Sequence, residues 1–435
     1  MIRLLHLSDI HFSKRSGTHY DLDQHVRDLL IADLKNQLQN GSFTGCMITG
    51  DIAFSGKEIE YDRALVFLTT LSEELNFPLG SIWVVPGNHD FDRKTATDSK
   101  TLRDVTDKLR KINESEINKE IEEYSTSIEH KEILYTPLSF YNKFAKQFNC
   151  DINSGKSYWD IQIPFTEHPD AFLYIRGLNS VLISSSDDGE KNDGTRMIMS
   201  LRQCQLKPME DGIKVSLCHH PFSWIRNAKE LQRELGNSFH VQLFGHEHEP
   251  RIDKINDSVL IHAGAVHPER NEGAAVPSYN ILEFTAHHES KNDVIKLKTI
   301  SRLYDFKDGS YKTIQPKQGP EHRYEFPLSK RITSLQPAVS KSEPALEQKA
   351  PHLSSLDELT AIRTLQVRFY GLSFFQQLEI LQNLKIVKDG DSEYLENKKF
   401  SPFFHRAKDG NHLKEMWEMV EQKRPSGKKT INPFQ

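Results

Sequence analysis

The chain has 435 residues, 37% of them hydrophobic and 27% charged. That length suits two or three domains rather than one small one. Lys and Arg number 56 against 61 Asp and Glu, a net charge of −5, so no global basic field draws the whole protein onto nucleic acid or an anionic membrane.

The opening run Met-Ile-Arg-Leu-Leu-His-Leu-Ser-Asp enters a strand, Leu4 to Leu7, and then a ligand-bearing turn, Asp9-Ile10-His11. No signal-peptide pattern precedes it, and no apolar run reaches the ~20 residues that span a bilayer. From Asp21 to Leu38 apolar residues recur at helical spacing: Val26, Leu29, Leu30, Leu34, Leu38. The next strand, Gly45 to Ile48, ends at Gly50-Asp51, where glycine lets the backbone turn sharply. Tyr61 to Leu75 is again helical, and the strand Ile82 to Val85 ends at Gly87-Asn88-His89-Asp90. Strand, helix, strand, helix, strand predicts a parallel sheet with crossover helices.

The alternation then stops. Arg93 to about Gly155 is charged and mostly helical, with aromatics at Tyr135, Phe140, Tyr141, Phe144 and Phe148. It reads as an insertion over 93–157, either a surface hairpin of helices or a cap that narrows access to the site. Strands return at Phe172 to Ile175 and Ser180 to Ser184. Two more precede His219-His220-Pro221 and Gly245-His246-Glu247-His248. Ser258 to His262, Tyr279 to Phe284 and Val294 to Leu303 follow with little room for helices. They predict a second, more antiparallel layer packed on the first.

These elements make up a first domain, 1–330. Residues 331–352 carry proline, serine and charge without apolar period and read as a linker. Residues 353–424 hold four helical signals. They are Leu356 to Phe369 behind a capping-box-like Ser355-Leu356-Asp357-Glu358, Ser373 to Leu384, Phe400 to Arg406 and His412 to Val420. They fit a small all-α interaction domain with one small core. Phe374, Phe375, Phe403 and Trp417 exceed its obvious need, although core is the better use for any single one. Residues 425–435 form a basic tail, predicted to be disordered. The cysteines Cys46, Cys150, Cys204 and Cys218 make no C-x-x-C pair and read as reduced structural thiols, which suits the cytoplasm.

Five ligand-bearing turns, each at a strand end, would converge on one sheet edge, where open α/β sheets bind ligands. Their side chains are carboxylates (Asp9, Asp51), an amide (Asn88) and imidazoles (His11, His219, His246, His248). One metal rarely needs seven such ligands. Two divalent ions sharing a carboxylate account for all of them, and ions about 3.5–4 Å apart can activate a bridging water and clamp a phosphoryl group. Mixed oxygen and nitrogen donors suit manganese, iron or zinc, with manganese favoured.

Asp-x-His, Gly-Asp, Gly-Asn-His-Asp, His-x-Pro and Gly-His-x-His, in this order and spacing, resemble the calcineurin-like metallophosphoesterase superfamily over roughly residues 1–305. The resemblance implies a four-layer α/β/β/α sandwich. It assigns Asp9, His11 and His248 to a first ion, Asn88, His219 and His246 to a second, and Asp51 to both. It makes His89 the proton donor to the leaving alkoxide, with Asp90 orienting or polarising it, and leaves His220 in a supporting place. The implied activity is a dinuclear phosphodiesterase acting on a nucleotide or related phosphodiester. A nuclease of the same superfamily, a protein phosphatase and a non-catalytic scaffold are the alternatives. Among the other histidines, His6, His25 and His240 are expected to be structural, whereas His262 and His267 could line the pocket. Arg251 and Arg270 are candidates for a phosphate but default to solvated surface. The C-terminal block resembles death-fold-like adaptor modules of bacterial conflict systems through Phe374 to Leu381, Phe403 to Ala407 and Leu413 to Trp417. That implies association with itself or a protein partner and a place in antiviral defence.

Overall fold

The computed structural model describes residues 1–19, 21, 23–128, 130–166, 168–206, 212–268, 276–287, 293–314 and 322–328. In the C-terminal part it describes 361–362, 365, 368–369, 372, 374–388, 391, 401–423 and 432–434. The linker at 331–352, the capping-box-like start at Ser355, Arg270 and most of the basic tail lie outside the described residues. Two compact units form: Met1–Phe77 with Ser81–Val339, and Ser340–Gln435 with Pro78–Gly80.

The first unit is the four-layer α/β/β/α arrangement. Strands β1 (Ile2–Leu7), β2 (Gly45–Ile48) and β3 (Ile82–Val84) pair in parallel. They are buried along their whole length, as strands covered on both faces must be. Helices α1 (Gln24–Gln37) and α2 (Glu58–Glu74) are the crossovers. α1 is tied to the sheet through Asp33, which accepts from Tyr279 (2.5 Å) and pairs with Arg302.

Of the late strands only Ser258 to His262 joins the second layer, where it pairs in parallel, whereas the other two are antiparallel and extend the first sheet. β10 (Ser278–His287) pairs with β1, and β11 (Val294–Asp305) pairs with β10. With β12 (Ser310–Thr313) and β13 (His322–Pro327) they complete a seven-stranded first sheet. The second sheet is built from the middle of the chain, in the order β4 (Trp159–Phe165), β5 (His168–Gly177), β6 (Gly212–Leu217), β7 (Val241–Phe244), β9 (Ser258–His262), β8 (Arg251–Ile255). Its four central strands, β5, β6, β7 and β9, run parallel. Helix α7 (Ala228–Ser238) covers it through Leu231 and Leu235, which pack with Leu178, Phe239, Phe244 and Leu260. Ser180 to Ser184 is not a strand: Val181, Leu182 and Ile183 are buried, but the segment turns without pairing. Burial draws apolar β-branched residues just as a sheet does.

The insertion holds α3 (Arg93–Asp98), α4 (Lys100–Lys111), α5 (Ile117–Thr126) and α6 (Ser139–Ala145). It is neither a loose hairpin nor only a cap. Its Tyr141 donates to the Val84 carbonyl (3.1 Å), which also accepts from Trp159 of β4 (2.9 Å). Phe144 stacks on Tyr61 of α2, with centroids 5.1 Å apart. The insertion therefore buttresses the strand end that carries Gly87 to Asp90.

In the second unit, α8 (Phe374–Asn383), α9 (Ser401–Asp409) and α10 (Leu413–Lys423) enclose a core that includes Leu365, Phe369, Ile380, Phe403, Met416 and Trp417. Phe403 and Trp417 are thus core residues. The side chains of Phe374 and Phe375 lie outside the description. Among the described residues no helix is long and apolar enough to cross a membrane.

Candidate metal centre

All seven candidate ligands lie on turns at strand ends, and backbone hydrogen bonds stitch those turns together. Asp9 N donates to Gly50 O (3.1 Å), His11 N to Asp51 O (3.0 Å), Gly245 N to His219 O (3.0 Å) and His267 N to Asp9 O (3.0 Å). Asp9, His11, Asp51, His246 and His248 all adopt the left-handed region, with φ between 51° and 72°. Each such residue costs on the order of 1 kcal/mol. Strain held at five of seven candidate ligands marks these turns as shaped for the site. Gly87 has a simpler cause, because a Cβ there would stand 2.1 Å from Asp51 Oδ1.

The donor atoms converge. His219 Nδ1 donates to Thr49 O (2.7 Å), which leaves Nε2 as a lone pair in the neutral ring. That nitrogen faces Asn88 Oδ1 at 3.0 Å, His246 Nδ1 at 3.2 Å and Asp51 Oδ2 at 3.4 Å. On the other side of Asp51, His11 Nε2 lies 3.4 Å from the same Oδ2, and His248 Nε2 lies 3.3 Å from Asp9 Oδ1. Ligand atoms fall within 4.8 Å of one another in the groups Asp9–His11–His248, Asp9–Asp51–His219, His11–Asp51–His89 and His219–His220–His246. Lone pairs aimed at one another in a buried site repel unless a cation lies among them, so the donor set fits divalent metal.

Electrostatics agree with this. Burial alone would depress the His219 imidazole, but the charge and hydrogen bond of Asp51, then the charge of Asp9, raise its pKa to about 9. Asp51 is held well below the carboxylate range: burial opposes ionisation, and His219 and His11 overcome it. Without metal, a proton on His219 does part of a cation's work.

His89 N donates to Asp51 Oδ1 (2.7 Å), and its ring Nδ1 lies 2.8 Å from Phe54 O. Asp90 does not orient that ring. One carboxylate oxygen accepts from Ala53 N (2.9 Å) and Tyr61 Oη (3.0 Å), and the other from Ile52 N (3.2 Å) and Gly87 N (2.9 Å). Asp90 therefore clamps the Asp51 turn to the Asn88 turn. Burial, then the charge of Asp51, push its pKa up to about 7, against the pull of those N–H groups. Both of its oxygens are used as acceptors. We expect Asp90→Asn to set an NH2 group against two donors and to cost about 2–3 kcal/mol. Thermal unfolding checks this, and an unchanged midpoint would remove the clamp.

His220 is buried, with Nδ1 2.9 Å from Ser180 Oγ and its ring 4.6 Å from that of His246. Burial, then His246 and His219, keep it neutral. His6 belongs to a buried chain below the site. Ser301 Oγ donates to Asn280 Oδ1 (2.7 Å), Asn280 Nδ2 lies 3.4 Å from His6 Nδ1, and His6 Nε2 lies 3.0 Å from Thr49 Oγ1. The Thr49 carbonyl carries His219, so this chain braces a candidate ligand. The carbonyl of His267 faces His11 Nδ1 (3.2 Å), and Glu247 lies 3.2 Å from His262 Nδ1. His240 is structural, taking the Lys214 N–H (3.0 Å), and His25 is exposed. Arg251 pairs with Glu247 and Asp253. Cys218 Sγ contacts His220 O and the Met199 sulfur rather than the donor groups. Tyr61, Phe54, Trp224 and Ser180 border the centre and were not marked by any sequence motif. Cavities of about 450 and 390 Å³ lie elsewhere, one beneath α7 and one between the insertion and residues 179–205.

Residues 361–422 match the GTPase-associated adaptor domain, consistent with the adaptor resemblance of the C-terminal block. No curated protein matches the chain. Solved structures with similarity include zinc-complexed Vps29 from Entamoeba histolytica, at 13% identity over 74% of this chain and 99% of that one, TM-score 0.30. GAP50 of Plasmodium, the anchor in the inner membrane complex, has 11% identity over 77% and 89%, TM-score 0.36. An archaeal phosphodiesterase has 12% identity over 72% and 99%, TM-score 0.28. At such TM-scores none of the three carries an argument. The family match does: it runs over residues 2–250, more than half of the chain, and the protein belongs to the calcineurin-like phosphoesterases.

Proposed function

We propose that the protein is a metal-dependent phosphoric ester hydrolase, a phosphodiesterase acting on a nucleotide or related phosphodiester. The observation that carries this reading is the convergence of acceptor atoms on both sides of Asp51 Oδ2. Asp9, His11 and His248 would hold one divalent ion, Asn88, His219 and His246 a second, and Asp51 both, with manganese favoured. Such ions supply Lewis acidity to a phosphoryl group and make water a better nucleophile at neutral pH. His89 delivers a proton to the leaving alkoxide. Its Nδ1–H is spent on Phe54 O, so the transferable proton is the Nε2–H of the imidazolium form. Asp90, Tyr61 and Gly87 hold the two turns in register.

The test is a panel run with manganese present: bis-p-nitrophenyl phosphate, p-nitrophenyl phosphate, cyclic nucleotides, and single- and double-stranded DNA. Hydrolysis of the small diesters supports the phosphodiesterase, and preferential cleavage of DNA supports the nuclease. A metal-loaded protein that cleaves none of them is a scaffold, and the reading fails.

The adaptor match supports a protein partner or self-association through the second unit. A place in antiviral defence rests on that adaptor reading alone. The four cysteines, buried and free of disulfides, support a cytoplasmic setting. All candidate ligands lie in the first unit. We therefore expect a chain ending near Ser334 to keep its turnover of a small phosphodiester and to lose association, as read by light scattering and activity. A folded, metal-loaded but inactive truncation would show that the second unit shapes the site.

A further inference from the structure

Phe54 follows the Asp51 turn and is 45% exposed, one of only two phenylalanines among the described residues with a large exposed surface. The other, Phe306, lies on the β11–β12 hairpin, whereas Phe54 stands at the centre itself. Its ring centroid is 5.3 Å from that of His89 and 6.1 Å from that of His11. Its backbone is fixed: Phe54 N donates to Phe12 O (2.9 Å), and Phe54 O takes His89 Nδ1 (2.8 Å). The opposite end of the centre carries Trp224, but that ring is engaged edge-on with the His246 imidazole, 4.1 Å between centroids. Phe54 is thus a fixed, half-exposed aromatic face beside the residue that protonates the leaving group.

An exposed phenyl ring gains nothing from water. Beside a departing alkoxide it offers a flat apolar surface to whatever that alkoxide is attached to. We propose that Phe54 is a specificity-determining residue that stacks on a planar base of the leaving group, so that the preferred substrate is a small nucleoside phosphodiester rather than an alkyl or sugar ester. This rests on the phosphoesterase reading of the same site. Stacking fits because the Phe54 ring meets His11 edge-on (81°) and His89 at a tilt (42°), so neither imidazole lies flat on its exposed face, and aromatic pairs form at centroid separations of about 4.5–7 Å. Loss of one base–aromatic stack commonly costs on the order of tenfold in affinity.

The test is equilibrium binding of phosphomonoesters that mimic the leaving-group half of the substrate to the manganese-loaded full-length protein, by calorimetry. Adenosine 5′-monophosphate and ribose 5-phosphate share the phosphate and the sugar and differ in the base. The wild type should bind the adenosine compound on the order of tenfold more tightly. Phe54→Leu, which keeps apolar bulk but loses the flat face, should bring the two affinities to within about twofold of each other, and Phe54→Tyr should restore the gap. Manganese content is measured on each variant, so a damaged centre would be recognised. Equal affinities in the wild type, or a gap that survives Phe54→Leu, would overturn the stacking role. A single-stranded oligonucleotide bound far more tightly than either compound would overturn the small-substrate assignment. If inorganic phosphate binds but the adenosine and ribose compounds bind alike, the stacking alone fails. If inorganic phosphate does not bind either, the phosphoesterase reading fails with it.

Discussion

Asp51→Asn is expected to lose more activity than replacement of any single terminal candidate ligand, such as Asn88→Ala or His248→Ala. The reason is placement. Asp51 Oδ2 stands 3.4 Å from both His11 Nε2 and His219 Nε2, the inner edges of the two donor groups. Losing His248 would weaken one group, whereas losing the Asp51 charge weakens both. Even outer partners of a bound ion commonly cost 10–100-fold, so a shared ligand should cost on the order of 10³ or more. Asparagine keeps an oxygen for the His89 N–H now bound by Oδ1, so the turn should survive and the defect should be one of metal and charge. Metal analysis of the purified variant should return fewer than two ions per chain. Full occupancy with near-normal turnover would remove the shared role.

The convergence of the candidate ligands was legible because its cause is local. A buried strand must end, the chain must turn there, and Asp9, Asp51, Asn88 and His246 follow directly upon such ends. The parallel part of the first sheet was legible for a related reason: helices of the right length separate its first three strands. What failed depends on partners remote in sequence. The pattern of Tyr279 to Phe284 says strand but not which strand it joins, and it pairs with β1, more than 270 residues away in sequence. Val181 to Ile183 reads as strand because it is buried, and burial is all that it is. Asp90 was assigned to its chain neighbour His89, yet its carboxylate points back to Ile52, Ala53 and Tyr61. Adjacency places two residues on one turn without deciding which way their side chains face. The same limit hid Phe54 and Tyr61. Neither belongs to a motif, because one offers only a flat surface and the other only a hydroxyl.

His89→Ala is expected to retain metal and to slow turnover by on the order of 10²–10⁴, the scale of general acid catalysis. Metal should stay because the link between His89 and Asp51 runs through the backbone N–H, which alanine keeps. Turnover should fall because the ring held by Phe54 O leaves Nε2 directed to exchange a proton, and nothing in alanine replaces it. The size of the loss should depend on the leaving group. A p-nitrophenolate departs readily as an anion and needs little help, whereas an alkoxide such as a ribose oxygen needs the proton in the transition state. p-Nitrophenyl esters should therefore suffer least, and nucleoside or alkyl esters most. The discriminating measurement is the ratio of the two losses, taken at equal metal content. An equal loss on both ester types would leave His89 a binding residue for the phosphoryl group and would return the question of the proton donor to the other groups around Asp51.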